Sequence, residues 1–463
     1  MRQFSSTIPL SLGLWLTMTM PVLAGDLITA QFPDDLSQVK VELCFDGQAP
    51  ARLYRNSHSS ADILYNNRAI SIREYDGTVR LPPLPANSCL NWEVQFDAMT
   101  ASDNHRALRR VGDGLIMNAD IWFWQGPRNR DLKVRMRLPQ GVSFSTPWKA
   151  LGPDGDALIF QPDNTPPSWE AKLAVGRFNI VNIDIQGSQL RLAMPGGLNA
   201  QQQQTMAAWV KESATSVSDL SGSFPQPNPQ VLIVPADERG RADMFGQVLR
   251  GGGVATTFYV NQNRSLQEFR DGWTATHEFS HMLLPYISSR DRWLSEGLAS
   301  YYQNVLRARD GRLSALEAWQ SMYDGFERGR KATSTGTLAQ ATRQGRAATM
   351  RVYWSGAALM LMADIQLRKS SAGVQSLDSA LTSLAECCLD NGETWRARDM
   401  FEQLDLLTNT QVFRSLYQKY ANAKGFPDMS DTWAELGIEV RNHRLALQQQ
   451  AAQLDIRNAI MKE

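Results

Sequence analysis

The 463-residue sequence has no excess of charge of either sign: Lys and Arg together number 47, and so do Asp and Glu. A chain without a basic surplus lacks the electrostatic footprint of a polyanion binder, so no nucleic acid is expected as a partner. Histidine is scarce at five residues and cysteine scarcer at four. Four cysteines are too few for a disulfide scaffold, though they suit an oxidising compartment, and they permit three pairings. Cys44 and Cys89 share a β-patterned region and form the natural pair, a bridge that would contribute about 3–4 kcal/mol in the chain-entropy account. Cys387 and Cys388 are neighbours in a helical pattern, where a mutual bond would be strained, and are expected as small buried side chains. Long hydrophobic runs are also missing beyond the N-terminus. The most apolar later stretch, Gly356 to Met362, is stopped by Ala363-Asp364. No integral membrane segment is therefore expected in the mature chain.

What is present begins with a leader. Met1-Arg2 supplies a positive start, Ile8 to Met20 an apolar run, and Val22-Leu23-Ala24 a small-residue cleavage site. This layout predicts a signal peptide over residues 1–24 and a periplasmic or secreted product. The absence of cysteine after Ala24 argues against a lipid-modified N-terminus.

Length favours more than one domain. From about residue 27 to 195, short alternating runs such as Val39 to Leu43, Leu90 to Val94, Leu132 to Met136 and Leu190 to Met194 are bounded by turn residues. That rhythm predicts an antiparallel β-sandwich over residues 25–197. Residues 198–463 then read as mainly helical. Asn199 can cap a helix running to about Ser218, Val231 to Val234 reads as a buried strand, and helical periodicity holds from Ser265 to about Asp431. The Gln448-Gln449-Gln450 tail is expected as a terminal helix. The fold class expected is thus a multidomain α+β chain.

The chemistry concentrates in His277-Glu278-Phe279-Ser280-His281. Residues four apart share a helix face, so both imidazoles can reach one metal ion while Glu278 is offset toward a metal-bound water. Two histidines leave a catalytic zinc site one protein ligand short. Glu296, fifteen residues after His281, lies in Trp293 to Tyr302, a second amphipathic helix start, and can complete it. Gly297 permits close approach of another helix.

These two segments resemble the gluzincin metallopeptidases, whose His-Glu-x-x-His helix is followed by a Trp-Leu-x-Glu-Gly-x-Ala helix. Val352 to Leu359, Asp364 to Arg368 and Ser376-Leu377-Asp378 look most like the glycyl aminopeptidases within that clan. The resemblance implies a thermolysin-like, mainly helical catalytic domain with Zn2+ on His277, His281 and Glu296. It further implies Glu278 as general base and then acid, Tyr353 as hydrogen-bond donor to the oxyanion, and a peptide or protein substrate. The clan's glycine-rich substrate strand is matched to Gly251, Gly252, Gly253 and Val254, but no acidic residue stands there to bind a free amine. Aminopeptidase and endopeptidase both stay open. The His281-to-Glu296 span is shorter than in the glycyl aminopeptidases, and the chain runs out after Leu436-Gly437-Ile438, leaving no room for their PDZ domain. A second class of function is a non-catalytic, zinc-stabilised peptide-binding protein; an intact Glu278 speaks against it, since a structural zinc site needs no base.

Overall fold

A computed structural model describes residues 25–462 apart from 56–60, 72, 76, 101–106, 128–130, 164–170, 237–238, 333, 335, 390–391 and 451. The signal segment expected over 1–24 lies outside the described residues. The N-terminal part is a multi-sheet β domain, built on an eight-stranded sheet and a four-stranded sheet. Its core is dense with aromatics, including stacked Trp92 and Trp124 at 4.7 Å. The sheet is mixed rather than wholly antiparallel: Asp26–Gln31 pairs in parallel with Leu132–Arg137 and antiparallel with Gln38–Cys44. A connection of about a hundred residues separates the parallel partners, far longer than a hairpin and ample for a crossover. Cys44 and Cys89 face each other at the end of Gln38–Cys44 and Cys89–Gln95 and are joined by a disulfide.

A separate five-stranded sheet underlies the helical part. Its spatial order is Ile180–Ile185, Ser188–Ala193, Gln230–Pro235, Val254–Val260 and Asp243–Arg250. The first two strands were assigned to the N-terminal β domain by their alternation, which cannot say which sheet a strand joins. Their pairing corrects this: Ser188–Ala193 runs parallel to Gln230–Pro235. The helix Ala200–Ser218 makes the crossover, opened by an Asn199–Gln202 capping box. Val111, Ile116 and Ala174 of the four-stranded sheet pack against Ala193, Leu232 and Val234, joining the two parts through an apolar seam.

Helices then follow almost without interruption from Leu266 to Glu435. Two local expectations are corrected. Gln448–Gln450 is not helical; it follows a hairpin of Ile438–Arg441 and Arg444–Leu447, and the terminal helix is Leu454–Met461. Asn442 and His443 adopt left-handed backbone at that hairpin's turn, a tight reversal that hydrophobic periodicity does not register. Cys387 and Cys388, expected as two buried thiols, are bonded to each other, with only Cys388 buried. They close the helix Leu377–Cys388, where its last turn gives way to Leu389. No helix among the described residues is long and apolar enough to cross a membrane.

Candidate metal centre and active site

The site starts from the helix Thr274–Ser280 and the 3-10 turn His281–Leu283 that continues it. Phe279, on the far side of the helix from His277, plugs into the core against Phe224 and Phe258, each at 5.6 Å. The imidazoles are thereby turned away from the sheet. The edge strand Asp243–Arg250 holds this short helix at both ends. Asp243 accepts from the Thr274 backbone N–H at 3.0 Å, and Arg250 Nη2 donates to the carbonyls of His281 and Leu284 at 3.1 Å each. An acid at the start and a base at the end complement the helix dipole.

The helix Arg292–Arg309 brings the third ligand. Glu296 Oε2 lies 3.4 Å from His277 Nε2 and 3.5 Å from His281 Nε2. Tetrahedral ligands at about 2.1 Å from a zinc ion are themselves about 3.4 Å apart, so the spacing matches. This oxygen is buried and has no hydrogen-bond partner among the described residues. Both Nδ1 atoms are already engaged: His277 Nδ1 with Gln303 Oε1 at 2.9 Å, His281 Nδ1 with Ser295 Oγ at 2.8 Å. The two Nε2 atoms and the orphaned carboxylate oxygen are thus oriented toward one point, and the donor set fits zinc. Among the described residues it is the single such cluster of His, Cys, Asp and Glu.

Gln303 and Ser295 were not read from the sequence. Both belong to the Glu296 helix, Gln303 two turns on and Ser295 next door, but nothing in their type marked them out. A lone amide and a lone hydroxyl acquire the role only when two helices pack.

Tyr353 enters from the helix Thr349–Ser370. Its ring stacks on that of His277 at 5.9 Å with planes 9° apart. What permits this is a crossing of two glycines. A Cβ on Gly297 would sit 2.8 Å from Ala357 N, and one on Gly356 would sit 2.7 Å from Gly297 Cα and closer still to the Trp293 carbonyl. Glu296 and Tyr353 flank that crossing. Farther along, Asp364 accepts from Tyr301 Oη at 2.7 Å, Arg368 Nε at 3.0 Å and the Leu377 N–H at 2.8 Å. Asp378 accepts from Tyr302 Oη at 2.8 Å and pairs with Arg309 at 3.0 Å. The Asp364, Arg368 and Asp378 of the sequence motifs therefore brace helices rather than face the metal site.

Electrostatics follow from burial. Burial raises the Glu278 carboxyl above the usual carboxylate range, against the pull of His277 and His281. Burial would raise Glu296 too, but the two imidazoles hold it well below the ordinary range. The Tyr353 phenol is pushed up by burial and then by Glu296 and Glu278, so it keeps its proton. Glu278 packs on the edge strand, where a Cβ on Gly246 would lie 2.9 Å from its Cδ, and the Val248 N–H donates to it.

Gly251, Gly252, Gly253 and Val254, expected at the substrate strand, are elsewhere. Gly251 to Gly253 form the turn after the edge strand and pack on the N-terminal domain. Trp148 Nε1 donates to the Gly251 carbonyl at 3.1 Å, and Gly252 and Gly253 leave no space for a Cβ beside Trp148 and Pro147. Gly253 and Val254 line a groove of about 660 Å3 between the two parts. The glycines serve a positive-φ turn, with Gly252 at 79° and Gly253 at 152°, and a close domain contact. The strand that borders Glu278 is Asp243–Arg250.

No protein-family model matches the sequence, and no curated protein matches it. Solved structures do. An aminopeptidase N family protein from Idiomarina loihiensis superposes with a TM-score of 0.63 at 12% identity, covering 93% of this chain and 77% of that one. An M1 zinc metallopeptidase from Deinococcus radiodurans gives 0.55 at 14% identity, with 87% and 93% covered. A mutant of that metallopeptidase bound to a Tyr-Ser-Ala substrate gives 0.54 at 13% identity, with 87% and 94% covered. Over 87–93% of its length the chain therefore has the fold of the M1 zinc metallopeptidases, the gluzincin group that its two metal motifs resemble.

Proposed function

We propose that this protein is a zinc-dependent peptidase with a thermolysin-like site, acting in the periplasm or outside the cell after removal of residues 1–24. The observation that carries the reading is the convergence of two bare Nε2 atoms and the orphaned Glu296 oxygen, with Glu278 and Tyr353 close by. Three protein ligands leave a fourth position open, as catalytic zinc sites do. Zinc held there would polarise the scissile carbonyl and make a neighbouring water easier to deprotonate. Glu278, its carboxyl raised by burial, accepts the proton of the attacking water and delivers it to the leaving amine. Tyr353 keeps its hydroxyl protonated and donates to the oxygen on which negative charge develops. The free edge of Asp243–Arg250 beside Glu278 suits an extended peptide added as a further strand.

That strand offers no free carboxylate for a substrate ammonium, because Asp243 caps the metal helix. This favours peptides held by something other than their N-terminus. The test is Glu278→Gln: hydrolysis falls on the order of 10²- to 10⁴-fold while bound zinc stays stoichiometric. Cleavage of N-terminally blocked peptides assigns endopeptidase activity. A wild type that binds a broad peptide library and cleaves none of it supports the binding-protein reading instead.

A further inference from the structure

We infer that Trp273 is the wall of a substrate subsite and takes an aromatic side chain close to the scissile bond. Trp273, His277 and His281 stand four residues apart, so one stripe of the metal helix and its flanks carries the indole and both imidazoles. The ring centres of Trp273 and His277 are 5.4 Å apart, with planes at 77°. The indole therefore borders the ring whose Nε2 faces Glu296. Trp273 is 36% exposed, while His277 beside it is buried. The other tryptophans among the described residues are buried or half-buried.

A single exposed apolar side chain needs no special explanation, so the weight lies on where and how this one is held. Trp273 occupies the N-cap of Thr274–Ser280, yet its side chain makes no capping hydrogen bond. Ser, Thr, Asp and Asn are the side chains that cap well. Asp243 fills that role from the edge strand by accepting the Thr274 N–H. The same carboxylate packs on Gly272, where an added Cβ would lie 2.6 Å from Asp243 Oδ1. The Trp273 carbonyl in turn accepts the His277 N–H at 3.0 Å. The backbone is thus pinned on both sides of the indole, and a tryptophan on a fixed backbone is a rigid contact surface. Such a surface loses little freedom when a ring packs on it.

The edge strand leads to this wall. Glu278 packs over Gly246, and Asp243 at the strand's start touches Gly272 and Thr274. A peptide added along the free edge, with its cleaved carbonyl at Glu278, therefore passes Trp273 toward the Asp243 end. Extended peptide advances about 3.3 Å per residue, so the side chain that meets the indole belongs to a residue within about two of the cleaved bond. Stacked and edge-to-face ring pairs favour an aromatic side chain there.

The inference takes its cleaved bond from the peptidase reading, and two readouts keep the failures apart. In the first, zinc-loaded full-length protein is assayed on matched peptides that carry Phe or Ala at one of the two positions on each side of that bond. Wild type is expected to prefer Phe at one of these positions by roughly 10- to 50-fold in kcat/KM. In Trp273→Ala the ratio falls to about one, and in Trp273→Phe it lies between, with zinc content measured in each. In the second readout, the same peptides are titrated into Glu278→Gln and into Glu278→Gln/Trp273→Ala, and the same loss of ratio is expected in Kd. If wild type cleaves nothing yet the binding ratio holds and is lost with Trp273, the peptidase reading fails and the subsite stands. If Trp273→Ala does not retain zinc, Trp273→Phe decides: a ratio below that of wild type supports the subsite, and an unchanged one overturns it. A wild type indifferent to Phe at every position overturns it as well. So does a Trp273→Ala variant whose losses are equal on Phe and Ala peptides, the result expected if the indole only shields His277.

Discussion

Substitution of Gly356 by Ala tests whether the glycine crossing sets the geometry of the site. A single added methyl would lie 2.7 Å from Gly297 Cα and nearer still to the Trp293 carbonyl. Carbon atoms rest at about 3.5–4.0 Å, so the helices Arg292–Arg309 and Thr349–Ser370 must part by about 1 Å. Two effects oppose each other. Ala is favoured over Gly inside a helix by about 1 kcal/mol. Overpacking a tight contact costs about 1–3 kcal/mol, more where the obstacle is backbone, as it is here. Overpacking wins, and a net loss of about 1–2 kcal/mol lowers Tm by a few degrees. The functional loss is larger than the structural one. Tyr353 lies one turn from Gly356 while His277, His281 and Glu296 sit on the other side of the crossing, so the displacement separates the phenol from the metal ligands. A misplacement of about 1 Å is worth on the order of 100-fold in rate. The expected result in Gly356→Ala is full zinc content, a modest fall in Tm and a fall in kcat of about 10- to 100-fold. Zinc by atomic absorption, thermal unfolding and steady-state kinetics measure the three. Wild-type kcat and Tm in this variant would refute the claim that the crossing positions Tyr353.

Three further predictions follow from named contacts. Gln303→Leu removes the acceptor that orients His277, and zinc affinity falls about 10- to 100-fold in a chelator competition, whereas Gln303→Glu retains most of it. Gly246→Val forces a side chain into the space of Glu278, so hydrolysis is lost while equilibrium dialysis finds zinc still bound; retained activity would show that Glu278 does not act from its observed position. Asp364→Ala leaves Arg368 and the Tyr301 hydroxyl buried without their acceptor. It destabilises the chain by about 3–5 kcal/mol in urea unfolding, well beyond an average surface substitution.

The metal ligands were legible because the pattern is local. His277 and His281 face one way in any helix that forms there. The Asn199 cap was legible for the same reason, since a capping box closes within four residues. What failed was long-range. Alternation announced Leu190 to Met194 as a strand within the β-patterned region but carried nothing about its sheet, because a strand's period is the same whichever neighbour it pairs with. The glycine tract looked like a substrate strand by composition. The need it meets is room beside Trp148 and Pro147, residues about a hundred positions away.

The sequence by itself therefore determined the elements and the donor types: a His-Glu-x-x-His helix, a Glu296 helix and a polar tyrosine on a third. Tertiary structure decided what these could do together. Only packing placed Glu296 Oε2 3.4 Å from His277 Nε2, engaged Gln303 and Ser295 on the far ring nitrogens, and stacked Tyr353 on His277 through the Gly297–Gly356 crossing. The physical reason is one of range. Helix periodicity and capping act within a few residues, whereas a metal site needs sub-ångström agreement among side chains from separate helices, and close packing alone enforces that.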